Sequence, residues 1–303
     1  AALRLAACRV APNLFFVRAH QAHDHRWDVG PGAKASGILE GMNELLTTAI
    51  PGLPTPRKGK VREVYDLGDS LLIVATDRIS AFDVIMANGI PGKGVILNQM
   101  SAFWFDKFRE LAPNHVISVE DRQIASRLGA VHPELAGRCT LAKKAKPLPI
   151  ECVARGYLAG SLYKEYRTQG GAVHGFQLPE GLLDGSKLAE PIFSPATKAE
   201  EGHDENLSFA QAVDIVGRET AEWVRDKTLD IFVQAQKHAE ASGLILADTK
   251  FEFGETEEGL IWIDEALTPD SSRFWEAKLY KPGGAQPSYD KQFVRDYLET
   301  LSW

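Results

Sequence analysis

The chain has 303 residues, 44% hydrophobic and 25% charged, which is long enough to bury one large or two modest cores and ordinary for a soluble globular protein. Its 34 Lys and Arg against 41 Asp and Glu leave a formal net charge of −7 with no basic run, which argues against a nucleic-acid platform. Three cysteines, Cys8, Cys139 and Cys152, are too few for a disulfide scaffold or a cysteine-rich metal site and fit a reducing cytosol, and no apolar run approaches the ~18 residues of a membrane helix.

Residues 1–29 carry several Arg and His, few acids and no clear period, and Gly30-Pro31-Gly32 then breaks the chain. An organelle-type presequence and a disordered or non-native leader both fit this character. Residues 1–41 are set outside the fold, because Met42 opens a helix-like segment that reads as a natural start. After a Pro-rich link at 51–56, the runs 58–67 and 71–76 form a hairpin around Gly68-Asp69-Ser70. Residues 97–111 place Met100, Phe103, Trp104, Phe108 and Leu111 at helical spacing and predict a core helix. Short strands follow at 115–119, 139–144 and 150–155, then a helix at 158–168 and a loop rich in Gly, Pro and charge at 170–206. The longest amphipathic stretch is 208–242, with Ser208 as its cap and Gly243 as its stop. Two strands at 246–254 and 259–264, a loop and a last helix at 289–301 complete the chain. Helices mixed with short antiparallel hairpins favour an α+β fold over a parallel doubly wound sheet.

Chemistry concentrates in a few segments. In 246–254, strand alternation sets Asp248, Lys250 and Glu252 on one face and Thr249, Phe251 and Phe253 on the other. Isolated charges are costly to bury, so an acid, cation, acid row beside an apolar row suggests a metal or phosphate site. Residues 259–264 form the return strand, with Ile261 and Ile263 inward and Asp264 at the end, within reach of Glu252. Two such carboxylates suit Mg²⁺, which takes one or two carboxylates with phosphate oxygens and water. A solvated edge hairpin with paired charges is the competing reading. Gly59, Lys60 and Arg62 open the first hairpin, and alternation puts both cations on one face as a phosphate clamp or as ordinary exposed charges. The polar turn at 76–83 holds Ser80 and Asp83 either as turn bonds or as a substrate contact. Arg155 and Ser161 flank a strand-to-helix junction that suits a monophosphate, or else pair an acid and cap a helix. Loop 194–206 collects Lys198, His203 and Asp204, and segment 264–275 runs through Asp270 and Ser272 to Arg273.

Taken together these segments resemble the SAICAR synthetase family from about residue 56 to 298. The runs LADTKFEFG (246–254) and PIECVARGYLAGS (149–161) carry the most specific likeness, and GKVREVYDLG (59–68) and EALTPDSSRFW (265–275) agree with it. The resemblance implies a purine-pathway ligase that joins L-aspartate to the carboxylate of carboxyaminoimidazole ribonucleotide (CAIR), consuming ATP with Mg²⁺ through an acyl phosphate. It implies an α+β fold in which an N-terminal antiparallel-sheet lobe, 42–145, packs on a larger α+β lobe, 146–303, with ATP in the cleft. By the same resemblance Gly59, Lys60, Arg62, Leu141, Lys143 and Lys146 hold the nucleotide, and Glu252 and Asp264 hold Mg²⁺. Ser80, Arg155, Ser161, Asp270, Ser272 and Arg273 bind the ribonucleotide, Arg155, Ser161 and Arg273 through its phosphate. Lys250, Asp83, Lys198, His203 and Asp204 stand at the reacting groups. Family chains usually continue past 289–301 into a further helix. A small-metabolite kinase is the alternative for such a cleft, although kinase signature loops are missing; a nucleotide-binding module without catalysis is a third reading. A cytoplasmic location is expected.

Overall fold

A computed structural model describes residues 44–82, 84–198 and 205–300 of the chain. The first sheet is antiparallel throughout, ordered β1 (Arg57–Lys58), β2 (Arg62–Asp66), β3 (Ser70–Ala75), β7 (Cys139–Lys143), β6 (Val116–Ser118). Period-2 patterning gives it two faces. Tyr65, Leu72, Val74 and Cys139 pack with Ile50, Ile124 and Leu135 into one small core, closed by helix α2 (Asp121–Leu128). The other face carries Arg62, Ile73, Ala75 and Thr140 toward helix α1 (Lys93–Lys107). Between β3 and α1 lies the small hairpin β4 (Ser80–Ala81) and β5 (Val84–Ile85).

The second sheet has seven strands centred on β14 (Leu244–Thr256), whose 13 residues contact four partners. β9 (Ile150–Tyr157) and β16 (Ser272–Glu276) pair with it at one end, β15 (Gly259–Ile263) and β8 (Lys146–Pro147) at the other. On the far side of β9 lie β12 (Lys187–Phe193) and β13 (Ala196–Thr197), and β10 (Ala172–Val173) with β11 (Phe176–Gln177) forms a separate hairpin after helix α3 (Gly160–Gln169). Phe251 and Phe253 of β14 are at most 1% exposed and enter the main core with Trp104, Phe105, Trp262, Phe274 and Phe232. Phe232 comes from α5 (Arg218–Ala241), which follows α4 (Phe209–Val216); α6 (Gln292–Glu299) ends the described chain. Helix α1 therefore serves both lobes, since Trp104, Phe105 and Phe108 pack into the core of the second sheet while its other side rests on the first.

Four predicted elements differ. Residues 44–50 form no helix, because their polar groups are taken by tertiary partners: Leu45 N–H donates to Asp77 Oδ2 (2.9 Å) and Thr48 N–H to Glu63 Oε2 (2.7 Å). The 58–67 strand is interrupted at Lys60 and Val61, which form a bend, so Lys60 is not a strand neighbour of Arg62. The loop at 170–206 contains β12, concealed because Pro191 and Glu190 break its pattern; its register to β9 shifts between Lys187 and Ile192, as a strand carrying Pro at a sheet margin permits. The helix at 208–242 is two helices, broken at Gly217 (φ 82°), with Ser208 and Gln211 forming a reciprocal capping box on the first. Helix α2 was not anticipated by the periodicity of its short sequence.

Asp77 fastens the first lobe. Fully buried, it accepts from Leu45 N–H, from Gly94 N–H (2.8 Å) at the start of α1 and from Arg138 Nη1 (2.9 Å) before β7. Gly94 is required there, since a Cβ would stand 2.1 Å from the Ala75 carbonyl oxygen and 2.8 Å from Arg138 Nη1. Gly94→Ala is expected to lower stability by at least about 2 kcal/mol, the scale of forced overpacking with a backbone shift, seen as a lower urea midpoint; a midpoint equal to that of the parent protein would contradict this packing.

Candidate active site

Two charged clusters meet along one face of β14. At the end near the first lobe, Glu252 pairs in register with Ile263, so Asp264 follows directly beside it. Asp264 holds a left-handed backbone (φ 74°), rare for a residue with a side chain, and so turns out of β15 rather than extending it. Arg62 reaches across from β2 to bond Asp264 and approaches Glu265 at 3.6 Å, which ties the two sheets together. Lys198 bonds Glu252, and Lys250 bonds Glu151 of β9.

Each charge has an opposite partner, and the pKa directions follow. Burial opposes the charge on Arg62, but Asp264, Glu265 and Glu252 outweigh it and raise its pKa. Burial likewise lowers that of Lys250, outweighed by Glu151, Glu252 and Asp264. Asp264 is held below the usual carboxylate range because Arg62 and Lys250 overcome its burial. Glu265 goes the other way: burial dominates, Asp264 and Asp270 add to it, and its carboxyl is raised despite Arg62.

The second cluster lies at the other end of the same face. Asp248 is opposite Arg155 on one side and Arg273 on the other. It bonds Arg273 Nη1 and stands 3.8 Å from Arg155 Nη1, while Arg155 Nη2 donates to Ser161 Oγ at 3.3 Å. Arg155 is 6% exposed and its Nε–H has no hydrogen-bond partner. Burial lowers its pKa. Gly160 starts α3 against Arg273, whose Nη2 would lie 2.8 Å from a Cβ at that position. Two guanidiniums, a hydroxyl and the N-terminus of a ten-residue helix thus converge. Such a set suits a phosphate dianion.

Between the first sheet, α1 and Asp264 lies a shallow recess lined by Val61, Ile73, Leu97, Asn98, Thr140 and Arg62, among others. Glu252 and Asp264 fit a Mg²⁺ that arrives with phosphate oxygens. Among the described residues no group of three or more His, Cys, Asp or Glu could form a self-sufficient metal cage, and Mg²⁺ needs none.

Of the predicted residues, Arg62, Lys198, Lys250, Glu252 and Asp264 are brought together, as are Arg155, Ser161 and Arg273. Gly59 and Lys60 form the turn before Arg62. Leu141 is buried in β7, Lys143 pairs with Glu258 (3.2 Å) and Lys146 lies exposed opposite Glu255. Asp270 is bonded by Lys93 (2.7 Å) with Lys291 at 3.8 Å, Ser272 shares a hydrogen bond with Thr249 (2.7 Å) on the inward face, and Ser80 is buried in β4. Asp83, His203 and Asp204 lie outside the described residues. Sequence reasoning missed Glu151, Glu265, Arg78 and His115. Glu151 was discoverable, since it continues on β9 the alternation that sets Arg155.

The family model described as SAICAR synthetase matches residues 56–303. The phosphoribosylaminoimidazole-succinocarboxamide synthase of Geobacter sulfurreducens is 55% identical over 264 residues, covering 86% of this chain and 89% of that protein. Its namesake from Geotalea uraniireducens is 56% identical over 260 residues, covering 86% and 88%. Among solved structures, the Saccharomyces cerevisiae SAICAR synthase complexed with SAICAR superposes with a TM-score of 0.77 at 43% identity, covering 84% of this chain and 87% of that one. A SAICAR synthetase in complex with ADP gives 0.62 at 26% identity, covering 79% and 89%.

His115 sits 3% exposed against the Phe105 ring, within the field of Asp264 and Arg62. Burial, with Arg62 adding to it and Asp264 opposing, lowers its pKa to about 4. The unfolded chain binds its proton near pH 6.5 and the folded chain only near 4, so the stability linked to this group is complete above 6.5 and is lost as pH falls through that window. The loss reaches up to about 3 kcal/mol. Chemical denaturation between pH 7 and 4 should therefore show a shallower decline for His115→Gln than for the parent; equal slopes would mean that His115 does not titrate as its burial requires.

Proposed function

The chain belongs to the SAICAR synthetase family, the ATP-dependent ligases of de novo purine biosynthesis that join L-aspartate to the carboxylate of CAIR to give SAICAR, ADP and phosphate, and from that premise we propose how its two charged clusters divide the reaction. The single observation carrying the proposal is the shared face of β14, on which Asp248 belongs to one cluster and Glu252 to the other. Residues two apart on a strand repeat every ~6.6–6.8 Å, so the clusters lie about 13 Å apart along the strand. That suits one extended ribonucleotide with its phosphate at one end and its reacting carboxylate at the other.

In this reading Arg155, Ser161 and Arg273 hold the ribonucleotide phosphate. The unpartnered Nε–H of Arg155 supports it, since a buried donor is seldom left unpaired unless a ligand takes it. A remote anchor of this kind converts binding into orientation of the carboxylate. ATP occupies the recess beneath the first sheet, with Gly59, Lys60 and Arg62 at its phosphates and Leu141, Lys143 and Lys146 along the strand and turn that lead to its base. Glu252 and Asp264 hold Mg²⁺, which when bound neutralises charge on the phosphate oxygens. Their present partners, Lys198 and Arg62, are long cations able to turn to those oxygens instead. The five-stranded-sheet lobe is thus the nucleotide side and the seven-stranded-sheet lobe the substrate side.

A carboxylate is a poor acylating group. Transfer of the γ-phosphoryl makes it a mixed anhydride, which the aspartate amine attacks, and both steps build negative charge on oxygen. Lys250, anchored by Glu151 beside Glu252, and Lys198 supply fixed positive charge there, of a kind whose loss costs ~3 kcal/mol of barrier. Asp270, paired with Lys93, is assigned to the ribonucleotide side, and Ser80 and Ser272 join it on the motif likeness alone. Asp83, His203 and Asp204 join the reacting groups on the motif likeness alone. The free, buried Cys139 and Cys152 suit a reducing cytoplasm, and no described helix is long and apolar enough to cross a membrane. The relatives are named as succinocarboxamide synthases, which disfavours a kinase.

Glu252→Gln and Asp264→Asn are each expected to cut turnover by roughly 10²-fold or more with the fold retained, measured as ADP release with CAIR, L-aspartate and Mg²⁺ present; parental rates in both variants would remove them from the metal site. Arg155→Ala should raise KM for CAIR by about tenfold or more while leaving KM for ATP within about twofold, and an effect confined to ATP would reassign the phosphate cluster.

A further inference from the structure

A guanidinium offers five N–H donors in a fixed fork. At Arg78, which is 7% exposed, all five are engaged, and three of them on one turn. Nε–H donates to the Lys60 carbonyl (3.0 Å), and Nη2 to the carbonyls of Gly59 (3.0 Å) and Arg62 (3.1 Å). Nη1 donates to Glu63 Oε1 (2.9 Å) and to the Leu46 carbonyl. The remaining carbonyl of the turn, Val61, accepts from both the N–H (3.0 Å) and the hydroxyl (2.8 Å) of Thr76. Gly59 N–H closes the turn on the Arg62 carbonyl at 2.8 Å. Every carbonyl from residue 59 to 62 is therefore held from one side.

A planar trans peptide carries its N–H and C=O on opposite edges. With four successive carbonyls gripped by Arg78 and Thr76, the turn has a single orientation, and Lys60 and Arg62 are aimed with it. The charge of Arg78 is not what acts on the turn, because the fully buried Glu63 neutralises it. Glu63 is in turn bonded by Thr48 N–H (2.7 Å) and hydroxyl, and its carboxyl is held below the ordinary range by those bonds and Arg78 despite its burial. The effect on the turn is geometric, and geometry is where lysine cannot replace arginine. A lysine would keep the charge but has three donors on one nitrogen, leaving at least two of the five contacts unmade.

We propose that Arg78, assisted by Thr76, is a positioning residue for nucleotide-phosphate binding: it fixes the 59–62 turn from behind so that Lys60 and Arg62 meet the phosphates. This rests on the reading above that the turn borders the nucleotide. The test is titration calorimetry with ADP and Mg²⁺ on the full chain for the parent, Lys60→Ala, Arg78→Lys, Thr76→Val and Thr76→Ser, with KM for CAIR measured alongside. Arg78→Lys should weaken ADP by about tenfold or more, as a displacement of order 1 Å can do, with KM for CAIR within about twofold of the parent. Thr76→Val should weaken ADP by roughly three- to fivefold and Thr76→Ser should restore it. Weakening by Lys60→Ala without weakening by Arg78→Lys would overturn the inference and leave the nucleotide site standing. Parental affinity in both would remove the turn from the nucleotide and the inference with it. A lower melting temperature in Arg78→Lys with unchanged ADP affinity would make the arginine structural only. Should Arg78→Lys fail to fold, equal ADP affinities in Thr76→Val and Thr76→Ser would overturn the proposal.

Discussion

Two faces of one strand carry opposite requirements, and β14 meets both. Thr249, Phe251 and Phe253 are sealed into the core, at most 1% exposed, so the strand cannot slip by one residue without burying Asp248, Lys250 and Glu252 in their place. Hydrophobic packing on one side thereby fixes the positions of charges on the other with the precision of a β-ladder. Chemistry that needs several groups at set spacings is well served by such a support, because a strand between paired neighbours moves far less than a loop.

The same face shows how a protein keeps many charges in a partly buried cleft. Acids and cations alternate, Glu252 with Lys198, Lys250 with Glu151, Asp264 with Arg62 and Asp248 with Arg273, so that no described member of the row stands alone. Removing one partner of a buried pair costs more than the pair contributes, because the remaining charge is left without water or counter-ion. A ligand that brings its own phosphates and metal can exchange for these contacts without leaving a charge unpaired.

The smaller lobe is organised around polar rather than apolar fixtures. Its core is modest, and buried Asp77, Glu63, Arg78 and Arg138 join the 44–50 segment, the first hairpin, α1 and β7 by hydrogen bonds. Directional bonds of this sort add little net stability each, but they specify geometry, and leaving any one unmade is expensive. The 59–62 turn owes its fixed orientation to such bonds rather than to hydrophobic area. Arg62, at the end of that turn, then bridges to Asp264 just past β15 and couples the two sheets.

By itself the amino-acid sequence determined the local two-sidedness of β14, the β14–β15 hairpin, the first hairpin after residue 60 and the α1, α3 and α6 helices. All of these rest on short-range periodicity and motif spacing, which the chain displays whatever its surroundings. Only the tertiary structure decided that 44–50 is extended rather than helical, that Gly217 splits the long helix, that β12 completes the second sheet despite Pro191, and that Arg78, Glu265 and His115 sit against the site. The reason is physical: the partners of these groups come from segments distant along the chain, as Arg78 does for Leu46 and Arg62 for Asp264, and a pairing across 32 or 202 residues leaves no periodic trace in either segment.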